Sequence, residues 1–236
     1  MEIGIIEAPT VKQLLIEKLA GMIINGEIKP GERMPSERDL AAQAHISRSA
    51  VHLAMSELEH MGFVETNGSH GTYVTDFARK GNIDTLNLLI RFNGADFSYD
   101  KISDLLEMRM AIEGTALKRL CSDLNNEKIH ILEEDTEKAE TCKDAHSLAE
   151  AFFNFHHDIC VCSGNFILPL LFNTFRFVTL AYWEEAIRKL GREKCLSFMH
   201  GLLEKIREKN ADEASAYLRH EFSIFIASEK SQSVKV

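Results

Sequence analysis

Ser47-Arg48-Ser49 stands where a helix can begin, and this triplet is the stretch best suited to nucleic-acid chemistry. A serine cap satisfies the first free amides, and the helix dipole leaves that end electropositive. An arginine there can clamp a phosphate or read a guanine edge in a major groove. A second set lies further along. Arg109 falls on an inward face of a long helical segment and, once buried, needs an anion. That anion is either a carboxylate or phosphate ligand, or Glu113, one helical turn away. His156, His157 and Asp158 form a third set. Consecutive residues diverge on a helix, so they make a weak catalytic constellation, and no nucleophile elbow or phosphate loop accompanies them. No catalytic residue is assigned, and the chain is read as a non-enzyme.

The elements that must hold these residues are legible in the spacing. Thr10 caps a first helix with Leu14, Leu15, Ala20, Met22 and Ile23 on its apolar face, and Asn25-Gly26 stops it. Gly31 and Pro35 keep the next stretch extended. Ser36 with Asp39 then opens a short helix in the manner of a capping box. Ser47 caps the third helix. There Val51, Ala54, Met55, Leu58 and Met61 make one buried stripe, leaving Arg48, His52, Ser56 and Glu59 outside it. Gly62 ends that helix. Residues 63–66 and 72–75 favour strands around the turn Asn67-Gly68-Ser69-His70-Gly71. Three helices and a β-hairpin over residues 8–77 predict a winged helix-turn-helix domain. A small α+β unit without a nucleic-acid role is the alternative.

Residues 78–83 read as a linker, and 84–230 as an effector-binding and dimerisation domain. Helical patterns over 83–92, 102–120, 126–143, 148–162, 165–190, 193–209 and 211–227 make it an all-α bundle of six or seven helices. The fold class is mainly α. The aromatic run Phe152, Phe153, Phe155, Phe166, Phe172, Phe175 and Phe177 either lines an apolar tunnel or packs a core.

The bulk properties set limits. The 236 residues allow two domains, and 45% hydrophobic with 27% charged residues is an ordinary globular composition. No apolar run approaches the length of a membrane span, and Met1 to Thr10 is not a basic, apolar secretion signal, so a cytoplasmic location is expected. Five scattered cysteines fit reduced thiols packed as small apolar groups. The net charge is −9, and residues 1–80 carry eight Lys and Arg against eleven Asp and Glu. A broad basic field is absent, so any DNA contact must come from a few placed residues and backbone amides.

Pro30-Gly31, Pro35-Ser36-Glu37-Arg38 with Leu40-Ala41, Ser47-Arg48 with Val51, and a wing closing on Gly71-Thr72-Tyr73-Val74 resemble the GntR family of bacterial transcription regulators over residues 10–75. The later chain resembles the effector domain of the FadR subfamily over residues 83–228. The matching pieces are Leu105-Leu106-Glu107-Met108-Arg109 with Glu113, Phe155-His156, Ser163-Gly164-Asn165, the position of Asn173 and the Leu203–Leu218 segment. The resemblance implies a homodimeric repressor or activator whose two winged helices read a short inverted repeat of double-stranded DNA. A small acidic or acyl effector in the helical domain would shift their separation. It places DNA contacts on Arg38, Ser47, Arg48, Ser49, His52 and the wing residues Asn67, Gly68, His70 and Gly71. His52 stands where the family usually has Arg, and a neutral imidazole is a weaker phosphate partner than a guanidinium. His70 either enters a minor groove or stays solvated.

Effector contacts carry over to Arg109, Phe152, His156, Asn173 and Phe177. Many such domains also hold a divalent metal, Zn or Ni, through one Asp and three His. Here His156 fits the first His, but Phe152 stands four residues before it, where the Asp would be. His200 and His220, the remaining candidates, are each about one residue off the spacing, which rotates a helical side chain by about 100°. No cofactor is therefore assigned beyond this incomplete metal set. A FadR-like loss of metal ligands implies a long-chain acyl-CoA or fatty-acid effector. A metal-dependent carboxylate sensor and a winged-helix interaction module without DNA binding are the alternatives.

Overall fold

A computed structural model of the chain describes residues 9–93 and 99–233. The opening residues, on which the reading of the N-terminus and the expected domain start at residue 8 depend, lie outside the described residues. The chain divides after Phe92 into two units, each taken by itself below.

In the first unit, α1 (Val11–Ile24) is capped by Thr10, whose hydroxyl accepts from the Gln13 amide while the Gln13 side chain accepts from the Thr10 amide. Leu15, Ile16, Leu19, Ala20 and Ile23 face the core, whereas Leu14, expected there, is exposed. α2 (Glu37–Ala44) starts at the Ser36 cap, where the Ser36 hydroxyl accepts from the Asp39 amide and donates to the Asp39 carboxylate at 2.7 Å. α2 ends on His45 in the left-handed region (φ 54), and two residues later Ser47 caps α3 (Arg48–His60). Val51, Ala54, Met55 and Leu58 are the buried stripe of α3. Gly62 (φ 73) then reverses the chain; a side chain there would meet the Lys80 carbonyl.

The wing is β1 (Val64–Thr66) antiparallel to β2 (Thr72–Val74), in register Val64↔Val74 and Thr66↔Thr72. The stretch before α2 runs along the other side of β2. Gly31 donates to Val74 O, Val74 to Glu32 O and Met34 to Thr72 O. Leu19, Val51, Leu58, Phe63 and Val74 belong to one core cluster.

The stretch expected as a linker holds α4 (Phe77–Lys80), one turn capped by Asp76. α5 (Ile83–Asn93) follows. Its Thr85 hydroxyl donates to Met61 O, the neighbouring Asn82 amide side chain donates to His60 O, and Leu88 packs on the first core. These links tie most of the helix expected to open the second domain to the first unit.

Among the described residues the second unit has seven helices, α6 (Tyr99–Ser122), α7 (Asn126–Thr141), α8 (Ala145–Cys162), α9 (Leu168–Thr174), α10 (Arg176–Leu190), α11 (Arg192–Arg207) and α12 (Ala211–Ser233). α8 packs against α6, α7 and α10, and α12 lies along α6. The segment 165–190, expected as one helix, is two. Pro169 in its first turn starts α9, and Phe175 (φ −94, ψ 5) donates to Phe172 O, tightening the chain into a corner. All five cysteines are free, and burial raises the thiols of Cys121, Cys160, Cys162 and Cys195 away from reactivity. Among the described residues no helix is long and apolar enough to cross a membrane.

Candidate DNA-reading face and buried anion site

α3 presents its N-terminus cleanly. The Ser47 hydroxyl accepts from the Ala50 amide at 3.2 Å and lies 3.0 Å from the Ser49 hydroxyl. The first turn carries no acidic residue, so its dipole is unopposed. Burial of Val51, Ala54, Met55 and Leu58 forces Arg48, Ser49, His52 and Leu53 outward. His52 is not free-standing. Its Nδ1 lies 2.9 Å from Glu37 Oε1, a contact that sequence separation hides. Arg38 is exposed beside Asp39, at 3.5 Å.

The wing tip is ordered by its own bonds. Asn67 donates to Gly71 O, the residues 68–70 make a single 3₁₀ turn, and the Tyr73 hydroxyl donates to His70 O at 3.1 Å. Asn67, Gly68 and His70 are exposed and Gly71 is half-buried. Gly71 (φ 98) packs against Arg33, whose guanidinium would meet any side chain there. Arg33 was not expected at the wing; its backbone bridge to Tyr73 puts it there.

The helical unit buries charge. Arg109 and Glu113, one turn apart on α6, pair through Nε and Nη2 to Glu113 Oε1 at 3.1 and 2.7 Å. The other carboxylate oxygen, Oε2, lies 2.5 Å from His156 Nδ1 on α8. All three side chains are almost fully buried. Burial by itself raises the Glu113 carboxyl, but the adjacent His156 and Arg109 charges and hydrogen bonds outweigh it and hold the group below its ordinary range.

Around this triad stand rings from five helices. Phe172 and Phe222 lie 4.9 and 5.1 Å from the Arg109 guanidinium carbon. Trp183 stacks on His156 at 6.0 Å, and Phe152 and Phe198 flank the same ring. Two buried polar atoms in the triad, Arg109 Nη1 and His156 Nε2, have no hydrogen-bond partner among the described residues. Both can serve an anion: the guanidinium as a donor, the imidazole as a donor once protonated.

The expected sets are thus brought together unequally. Arg109, Phe152 and His156 share one site. Asn173 and Phe177 are exposed, because α9 and α10 turn Phe172, Phe175 and Val178 inward instead. Phe166 is exposed as well, at 79%, so the aromatic run is largely core and not a continuous tunnel lining. His200 and His220 are exposed, and His200 pairs with Glu140. The residues of α11 and α12 that face His156 are Phe198 and Phe222. The residues present do not fit a metal: among the described residues no group of three His, Cys, Asp or Glu could hold one.

A capped reading helix with a wing, followed by a helical unit around a buried charge cluster, defines a DNA-binding regulator with a separate effector-binding domain. Comparison with known proteins makes this specific. Residues 12–74 match the family of bacterial regulatory proteins, gntR family, and residues 104–222 match the FCD domain. The chain is 33% identical over 157 residues to the HTH-type transcriptional regulator LutR of Bacillus subtilis, covering 64% of this chain and 68% of LutR. It is 29% identical over 168 residues to the HTH-type transcriptional regulator Mce2R of Mycobacterium tuberculosis, covering 71% and 69%. A solved structure, that of Lar, which controls expression of the Listeria monocytogenes agr system, shares the fold at a TM-score of 0.62 and 16% identity over 96% of this chain and 99% of that one. The protein belongs to the GntR family of transcriptional regulators, in the group that carries an FCD effector domain.

Proposed function

We propose that this regulator binds a short inverted-repeat operator as a homodimer and releases or tightens its grip when a small anionic effector enters the helical unit. On the DNA side, Arg48 reads a guanine or clamps a phosphate, Ser47 and Ser49 offer hydroxyls to the backbone, and Arg38 and the wing tip add flanking contacts. On the effector side, a carboxylate or acyl ligand takes Arg109 Nη1 and His156 Nε2. Those two buried, unpartnered atoms are the observation that carries the effector assignment. The surrounding rings select an apolar body behind the anionic head.

The test is fluorescence anisotropy on duplexes recovered from a randomised pool, with native mass spectrometry of the same protein. A dimer whose DNA binding falls at least about a hundredfold on Arg48→Ala, with helicity unchanged, is the expected result. The acidic excess over residues 1–80 favours a second reading, a winged-helix interaction module. A chain that retains no duplex at low salt supports that reading and sinks the first.

A further inference from the structure

α2 and α3 bring Glu37 and His52 together on the exposed face that carries Arg48. Glu37 opens α2 directly after its cap, and His52 lies one turn beyond Arg48 on α3. Glu37 Oε1 and His52 Nδ1 are 2.9 Å apart, yet both side chains stay open to solvent, at 40% and 69% exposure. A carboxylate has no proton to give, so Nδ1 carries the hydrogen and donates it. In the neutral ring that leaves Nε2 as a lone-pair acceptor. Val51 and Met55 of the same turn lie on the buried stripe, and His52 stays on the exposed side of α3.

The major groove offers few groups that an acceptor can use. Adenine N6 and cytosine N4 are donors there, while guanine O6 and N7 and thymine O4 are acceptors. A backbone phosphate is also a poor partner, since the Glu37 carboxylate repels it. We propose that His52, with its tautomer set by Glu37, is a specificity-determining residue that reads the amino group of an adenine or cytosine next to the site taken by Arg48. Glu37 is the positioning residue of the pair. The inference rests on the DNA-reading assignment of α3 given above.

The experiment is selection from a randomised duplex pool by the full chain at about pH 8. Wild type, His52→Arg, Glu37→Gln and Arg48→Ala are compared. Wild type is expected to enrich adenine or cytosine at one position per half-site. His52→Arg moves that position to guanine and leaves the others alone. Glu37→Gln flattens the same position by about tenfold, the size of one good base contact, because a carboxamide no longer dictates which ring nitrogen holds the proton. Unchanged preferences in both variants overturn the proposal. So does a wild-type preference for guanine or thymine at the altered position, which would mean that the ring donates. Failure of wild type to enrich any sequence, with Arg48→Ala no different, overturns the DNA-reading assignment itself and the proposal with it.

Discussion

Glu113→Gln removes the only negative charge of a buried triad and should be among the most damaging isosteric changes in the helical unit. The carboxylate serves Arg109 through one oxygen and His156 through the other. With a carboxamide in its place, the guanidinium is left charged among Phe172, Trp183 and Phe222, where water does not reach. Breaking one side of a buried ion pair costs about 3–5 kcal/mol, against about 0–1 kcal/mol for a surface pair. The folded-state carboxyl is depressed, so its contribution is present above the unfolded carboxyl value of about 4.3 and is lost as pH falls through the folded value. The cost of the substitution is therefore full at pH 7 and shrinks in strong acid. Trp183, the single tryptophan of the chain, is buried 6.0 Å from Arg109, so urea unfolding followed by its fluorescence reports on this unit alone. Arg109→Met with Glu113→Leu removes both charges and should recover about half of the loss, leaving about 1–3 kcal/mol for the unpaired His156 Nδ1–H. A Glu113→Gln cost under about 1 kcal/mol at pH 7, or one equally large at pH 3, refutes this account.

Three further outcomes follow from local geometry. Gly62→Ala puts a Cβ 2.3 Å from the Lys80 carbonyl oxygen at a φ of 73, and should cost the first unit more than about 2 kcal/mol in chemical denaturation followed by far-ultraviolet circular dichroism; a neutral result means that the turn after α3 opens freely. His45→Gly relieves a left-handed residue (φ 54) at the end of α2 and should raise the stability read by the same denaturation by about 0.5–1 kcal/mol, whereas a loss would show that the His45 side chain is needed there. Asp135 is pushed up to about 6 by burial and by the neighbouring Asp158, so at pH 8 folding must carry an ionised group that the folded state disfavours. Asp135→Asn should then stabilise by about 1–2 kcal/mol at pH 8, with the gain vanishing below about pH 4, where the acid is protonated in both states; a loss at pH 8 would show that its 3.2 Å contact with the exposed Lys138 matters more than burial.

What was legible in the sequence was what neighbours along the chain decide. The caps at Thr10, Ser36 and Ser47 each serve an amide three residues ahead, and the α3 stripe repeats within two turns, so both could be read from spacing. Arg109 and Glu113 were legible as a pair for the same reason. The third member, His156, lies 43 residues beyond Glu113, and Phe172, Trp183, Phe198 and Phe222 arrive from α9, α10, α11 and α12; nothing local announces that these rings converge. Glu37 and His52, 15 residues apart, were hidden in the same way. The histidines of α11 and α12 show where pattern reading fails. His200 and Phe198 differ by two positions, which is about 200° of helix, enough to point one into the protein and the other into solvent. A family resemblance transfers residue types readily, but a ligand set depends on rotational phase, and phase is set by which apolar side chains the core accepts. Here the core takes Phe152, Phe198 and Phe222 around His156. The donors that a metal requires are turned away, and what lines the site instead is a guanidinium, an imidazole and aromatic walls.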